Sequence, residues 1–88
     1  MDLHTRLLTA CCTDDRGSVL DCLYLGADVN YASPQDGVSG LMWAAKEGST
    51  AVLAALLACP QLRLNAVDSD GDTALSHAAS SGQTKVPT

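Results

Sequence analysis

Two segments of this chain, GVSGLMWAAKEGS from Gly37 and GDTALSHAASSGQ from Gly71, follow one plan: glycine, a small or hydroxyl residue, leucine, an alanine pair, glycine. Leu41 and Leu75 lie 34 residues apart, and so do Ala44 and Ala78, Ala45 and Ala79, and Gly48 and Gly82. Self-similarity at such a period marks a stacked array, because one short unit cannot bury its apolar face alone. Carried backwards, the register asks for leucine at 7, small residues at 10 and 11 and a turn residue at 14; the sequence has Leu7, Ala10, Cys11 and Asp14. Aspartate enters left-handed turns more readily than most residues, so it serves at the last place. The spacing predicts a single domain over 1–88, with units at 3–33 and 34–67 and a partial third at 68–88.

Each unit reads as helix, turn, helix. Leu41, Ala44 and Ala45 form an apolar stripe that stops at Gly48, as helical periodicity requires. Ser39 and Thr73 stand where a hydroxyl accepts from the unpaired N–H groups of a first turn, and Gly48 and Gly82 where a left-handed residue ends the helix. The second helix turns Val52, Leu53, Leu56 and Leu57 inward, matched in the first unit by Val19, Cys22 and Leu23. Helices of two or three turns do not persist alone in water, so stacking must stabilise them. The connections GADVNYASPQDG and CPQLRLNAVDSDG are rich in Gly, Pro, Asn and Asp and read as extended, hairpin-like loops.

Composition narrows the function. The chain has one Trp, two Tyr and no Phe, so its core consists of many small helix contacts. A net charge of −5 with five scattered cations offers nothing to follow a phosphate backbone, and nucleic acid is not an expected partner. MDLHTRLLTACC lacks the pattern of a secretory signal, and the longest apolar run, Ala51 to Cys59, is too short to cross a bilayer; no membrane partner is expected. Cys11 and Cys12 are adjacent, and Cys22 and Cys59 sit in apolar helical patterns. Reduced, mostly buried thiols in a cytoplasmic or nuclear protein follow.

GADVN closing the first unit and DGDTALSHAASSG opening the third resemble the ankyrin repeat. That pattern has a Thr-Pro-Leu-His-like helix start, an Ala-Ala pair, a Gly turn, a Val-x-x-Leu-Leu-like second helix and Gly-Ala-Asp-Val-Asn. The likeness runs in register over residues 3 to 83, as about two and a half repeats. It implies an all-α, ankyrin-repeat solenoid of stacked helix-turn-helix units joined by hairpin-like loops. There are departures. Ser39-Gly40-Leu41-Met42 and Thr73-Ala74-Leu75-Ser76 lack both the proline and the histidine that ties adjacent loops. Gly40 should cost on the order of 1 kcal/mol relative to Ala. Pro60 replaces a glycine, one extra residue precedes Asn65 and another lies near Ser33, which predicts a looser stack. After Gly82 a second helix should begin at Val86, but Pro87 and Thr88 follow. The backs of Leu75, Ala78 and Ala79 are then incompletely covered. This suits a piece of a longer array, or an end that docks on another chain or a second copy.

Metal and catalytic motifs are poorly supported. Asp68, Asp70 and Asp72 alternate as in a calcium loop, but such a loop needs Gly at its sixth place and Glu at its twelfth, where Thr73 and Ala79 stand. A solvated acidic loop tip is the expectation. Cys11, Cys12, Cys22, Cys59, His4 and His77 show neither C-x-x-C nor H-x-x-x-H spacing. Cys11 and Cys22 fall on inward positions, and Cys12 nearer the surface. A small hydrolase or redox domain lacks a nucleophile–base arrangement on a recognisable scaffold.

The resemblance implies instead a non-enzymatic protein-binding module with no cofactor, contacting its partner through loop tips and first-helix faces. Those places are Gln35, Asp36, Val38, Lys46 and Glu47, then Ser69, Asp70, Asp72, Ser80 and Ser81, with Cys12 and Thr13 extending them. Trp43 either covers the junction between units or anchors the partner. The acidic third-unit portion favours a partner segment bearing Lys or Arg. The alternative is a structural segment of a larger ankyrin-containing enzyme or scaffold with no binding activity of its own.

Overall fold

A computed structural model describes residues 2–80, which form five α-helices: α1 (Leu3–Cys12), α2 (Arg16–Tyr24), α3 (Gly40–Glu47), α4 (Thr50–Leu57) and α5 (Ala74–Ser80). Helices α1, α3 and α5 pack side by side as an inner row, and α2 and α4 lie behind α1 and α3 as an outer row. Four of the five helix starts are set locally. The carboxylates of Asp2 and Asp15 accept from the N–H groups of Thr5 (2.8 Å) and Ser18 (3.1 Å). The hydroxyls of Ser39 and Thr73 accept from Met42 N–H (3.3 Å) and Ser76 N–H (3.2 Å), satisfying donors that have no partner inside the helix. Ser39 N–H in turn donates to the Met42 thioether at 3.4 Å, closing the start of α3 from both sides.

The 34-residue register maps onto rungs of the core. Leu7 and Leu41, Ala10, Ala44 and Ala78, Cys11 and Ala45, Val19 and Leu53, and Cys22 and Leu56 are all buried at equivalent places. Two members depart. Leu57, expected to face inward, is 38% exposed, because it sits at the edge of the stripe formed by Val52, Leu53 and Leu56. Leu75 is 55% exposed although Leu41 is only 4% exposed, since no described element packs on the far side of α5. Ala79 is exposed as well, while Ala78 is buried. Gly82 and Val86, which bear on the expected end of α5 and its outer helix, lie outside the described residues.

Gly40 corrects an expectation of a different kind. It is buried at the first residue of α3, and a Cβ there would lie 2.9 Å from the Cys11 sulfur and 3.9 Å from Leu8 Cδ2. Glycine is what lets α1 and α3 approach this closely, so its low helix propensity is offset by a contact that alanine could not make.

Three sets of bonds fasten consecutive units. Asp14, the register mate of Gly48, adopts φ 56°, close to the 68° of Gly48. Its carboxylate accepts from the N–H of Val52 at 3.1 Å. That bond caps α4, whose own preceding Ser49 makes no side-chain cap. Asn30 donates through its amide nitrogen to the Gln61 carbonyl (2.8 Å) and accepts from Arg63 N–H (2.7 Å), holding the two connecting loops together beside the insertion that follows Pro60. The first loop folds back through an antiparallel bridge between Ala32 and Ser39. Its tip meets the next loop, with Ser69 N–H donating to the Asp36 carbonyl at 2.8 Å. At Gly37 (φ +72°) any side chain would be strained and tight, because a Cβ would lie 3.2 Å from both Asp68 Cα and Ser69 N.

Candidate functional site

The inner row and the first hairpin enclose a groove of about 480 Å³. One side is α1, contributing Asp2, Thr5, Leu8, Thr9 and Cys12; the other is the hairpin, contributing Tyr31, Ser33, Pro34, Gln35 and Asp36. Trp43 of α3 closes it. The register explains the space: Thr9 is the mate of Trp43, so a short side chain in one unit stands beside the indole of the next. Trp43 is half-buried, and the Lys46 ammonium lies 5.2 Å from the centre of its ring. Tyr31 is held by His4, whose ring stacks on it at 4.2 Å with 14° between planes. His4 is itself positioned by accepting the Asp28 N–H at Nε2, 3.1 Å away.

The groove is electronegative. Asp36 is exposed at the hairpin tip, where its carboxylate accepts from Val38 N–H at 3.1 Å. Asp2 is held below the ordinary carboxylate range, first by the Thr5 N–H and then by the Thr5 hydroxyl. Among the described residues lining the groove, none is cationic.

The sequence-derived site residues divide between two places. Gln35, Asp36, Trp43 and Cys12 come together in the groove. Lys46 and Glu47 are exposed near its Trp43 end, Thr13 is exposed, and Val38 is half-buried against the core. Ser69, Asp70 and Asp72 are exposed on the second hairpin, and Ser80 is exposed at the end of α5. Ser81 lies outside the described residues. Of the groove lining, sequence reasoning missed Asp2, Thr5, Leu8, Thr9, Tyr31, Ser33 and Pro34; tracing Trp43 back by one period to Thr9 would have pointed to α1.

The acidic loop is not simply a solvated tip. Asp70 and Asp72 are exposed, but Asp68 is buried. Its Oδ1 accepts from the N–H groups of Asp70 and Asp72, both at 2.9 Å, and its Oδ2 from His77 Nε2 at 2.7 Å. A histidine therefore does tie this loop to the inner row, displaced from the place the ankyrin pattern gives it. Donor atoms of Asp68, Asp72 and His77 lie within 4.8 Å of one another, yet both Asp68 oxygens are already engaged in folding the loop.

The Asp72 N–H first, and the His77 ring next among the favourable partners, hold the Asp68 carboxyl below its ordinary range. Ser18 does the same for Asp15, through its hydroxyl and then its N–H. A carboxylate whose folded pKa is depressed stabilises the fold fully above its unfolded value, and that stability is lost as pH falls through the folded value. Urea midpoints should therefore fall steeply below about pH 4. Asp68→Asn should lower the midpoint at neutral pH and flatten the acid limb; an acid limb as steep as that of the parent would contradict this assignment.

The thiols are free, Cys11 and Cys22 fully inside. Cys59 lies just past the end of α4 and is partly exposed. Burial pushes the Cys11 thiol up to about 12, so it keeps its proton at neutral pH. Cys12 is raised too, by burial first and then by the Glu47 carboxylate. Neither has the lowered pKa of a nucleophile. No described helix is long and apolar enough to cross a membrane.

Two rows of short helices, paired through hairpins whose tips bond to one another, form a stack that displays loops and inner-helix faces. Over residues 7–86 the sequence matches the family described as Ankyrin repeats (3 copies), and the chain belongs to the ankyrin repeat family. No curated protein matches it as a relative. Ankyrin repeats are generally protein–protein interaction modules, and domains built from them are typically non-catalytic.

Proposed function

We propose that this chain is a non-enzymatic adaptor module that holds a protein partner against the groove between α1, the first hairpin and α3, with the second hairpin extending the contact. The observation that carries this reading is the groove itself. It has a half-buried indole and a stacked tyrosine on a scaffold fastened across units, the kind of aromatic anchor on which interface energy concentrates. The unbridged thiols suit a reducing compartment, cytoplasm or nucleus.

Affinity capture with the chain as bait tests it, using a second bait carrying Gln35→Ala and Asp36→Ala. These side chains are exposed, so the variant should keep its helical circular dichroism. A partner retained by the parent and lost by the variant is the expected result. Equal retention by both would move the contact away from this face. A second reading, a structural segment of a larger ankyrin-containing protein, is favoured by the exposure of Leu75 on α5. It requires that the isolated chain capture nothing.

A further inference from the structure

We propose that the groove is a seat for one cationic side chain, arginine above all, presented by an extended segment of the partner. The inference rests on the protein-binding reading above and goes beyond it by naming what the groove selects.

Charge complementarity is the first argument. Asp2 at the start of α1 and Asp36 on the hairpin both line the groove, and among the described lining residues there is no positive charge to neutralise them. Lys46 and Glu47, exposed beside the Trp43 end, carry opposite charges and nearly cancel. An anionic segment would meet two carboxylates without a counter-charge, which disfavours phosphorylated or acidic peptides.

Aromatic recognition is the second. Tyr31 and Trp43 both line the groove, and an aromatic face attracts a cation. The structure already contains an instance, since the Lys46 ammonium lies 5.2 Å from the Trp43 ring centre. A guanidinium fits better than an ammonium here. It is planar, stacks on rings and donates to carboxylates two bonds at a time. A groove of about 480 Å³ falls within the usual range for small-ligand pockets, which suits one long side chain with its flanking backbone.

Lys46 then has a role opposite to that of a partner contact. It is a cation already beside Trp43, and an incoming arginine meets its repulsion. Removing it should tighten binding.

The test selects random linear peptides displayed on phage against the intact 88-residue chain, then measures individual peptides by the fluorescence of Trp43, the single tryptophan. Enriched peptides should share one arginine, or less often lysine, and should perturb Trp43 emission. Replacing that arginine by citrulline, which keeps the shape and removes the charge, should weaken binding about tenfold or more. Asp36→Asn should weaken it in the same direction. Lys46→Gln should strengthen it about two- to fivefold, whereas Arg16→Gln, the same charge change on the outer row, should have little effect. Enriched peptides with no basic residue, or citrulline binding as well as arginine, would overturn the cation seat and leave the protein-binding reading intact. Failure to enrich any linear peptide would overturn it too, and the broader reading would then be decided by whether the bait captures a folded partner.

Discussion

Leu41→Ala is expected to lower the unfolding free energy by roughly 2–5 kcal/mol, while Leu75→Ala, one period later, should cost less than about 1 kcal/mol. The two residues occupy the same place in their units, and the sequence already leaves the back of Leu75 incompletely covered. Leu41 is 4% exposed, on a helix packed between α1 and α5, whereas Leu75 is 55% exposed. Truncating the first leaves a cavity that helices on both sides cannot collapse to fill. Truncating the second mainly removes surface that already meets solvent. A domain of this size has a total stability of only about 5–15 kcal/mol, so Leu41→Ala should shift the urea midpoint far more than Leu75→Ala. The m-value should stay the same in both if each variant still unfolds in one step. Similar midpoint shifts for the two variants would show that the units do not share burial along a row.

The second large effect is a reversal of sign. Helix propensity says that Gly40→Ala should stabilise by about 1 kcal/mol. The added methyl would lie 2.9 Å from the Cys11 sulfur in the buried seam between α1 and α3, and overpacking of this kind costs about 1–3 kcal/mol. We expect Gly40→Ala to be destabilising overall in the parent. Made together with Cys11→Ala, which opens the space the methyl needs, the same change should become neutral or favourable. The double-mutant cycle isolates the contact, because neighbours in direct touch are where additivity fails. If Gly40→Ala raised the melting temperature in both backgrounds alike, the helices would have to sit farther apart than described.

What could be read from the sequence was whatever repeats. Leu7 and Leu41, Ala10 and Ala44, and the hydroxyls of Ser39 and Thr73 recur at one spacing, and each took its expected place in the stack. Asp14 was legible as a turn residue because its φ is a local property; its bond to Val52, 38 positions on, was not. Asp68 looked like one of three equivalent acids, and only the fold-back of the loop shows that it accepts two N–H bonds and a histidine while Asp70 and Asp72 remain exposed. The groove was half legible. Trp43, Gln35 and Asp36 stand out as exposed or large residues near a tip. The α1 side depends on what lies beside Trp43 in the previous unit, which is information between periods rather than within one.

Asp14 and Asn30 have a consequence for anyone who would rearrange such an array. Each belongs to the first unit by position but completes the second, the one by finishing the start of α4 and the other by clamping the loop at Gln61 and Arg63. The segment from α3 to α4 is therefore not a portable cassette. Grafted behind a foreign neighbour that lacks these two side chains, it would arrive with an open helix end and an untethered loop. Its solubility in a chimaera would depend on residues that a cut at the boundary between units leaves behind.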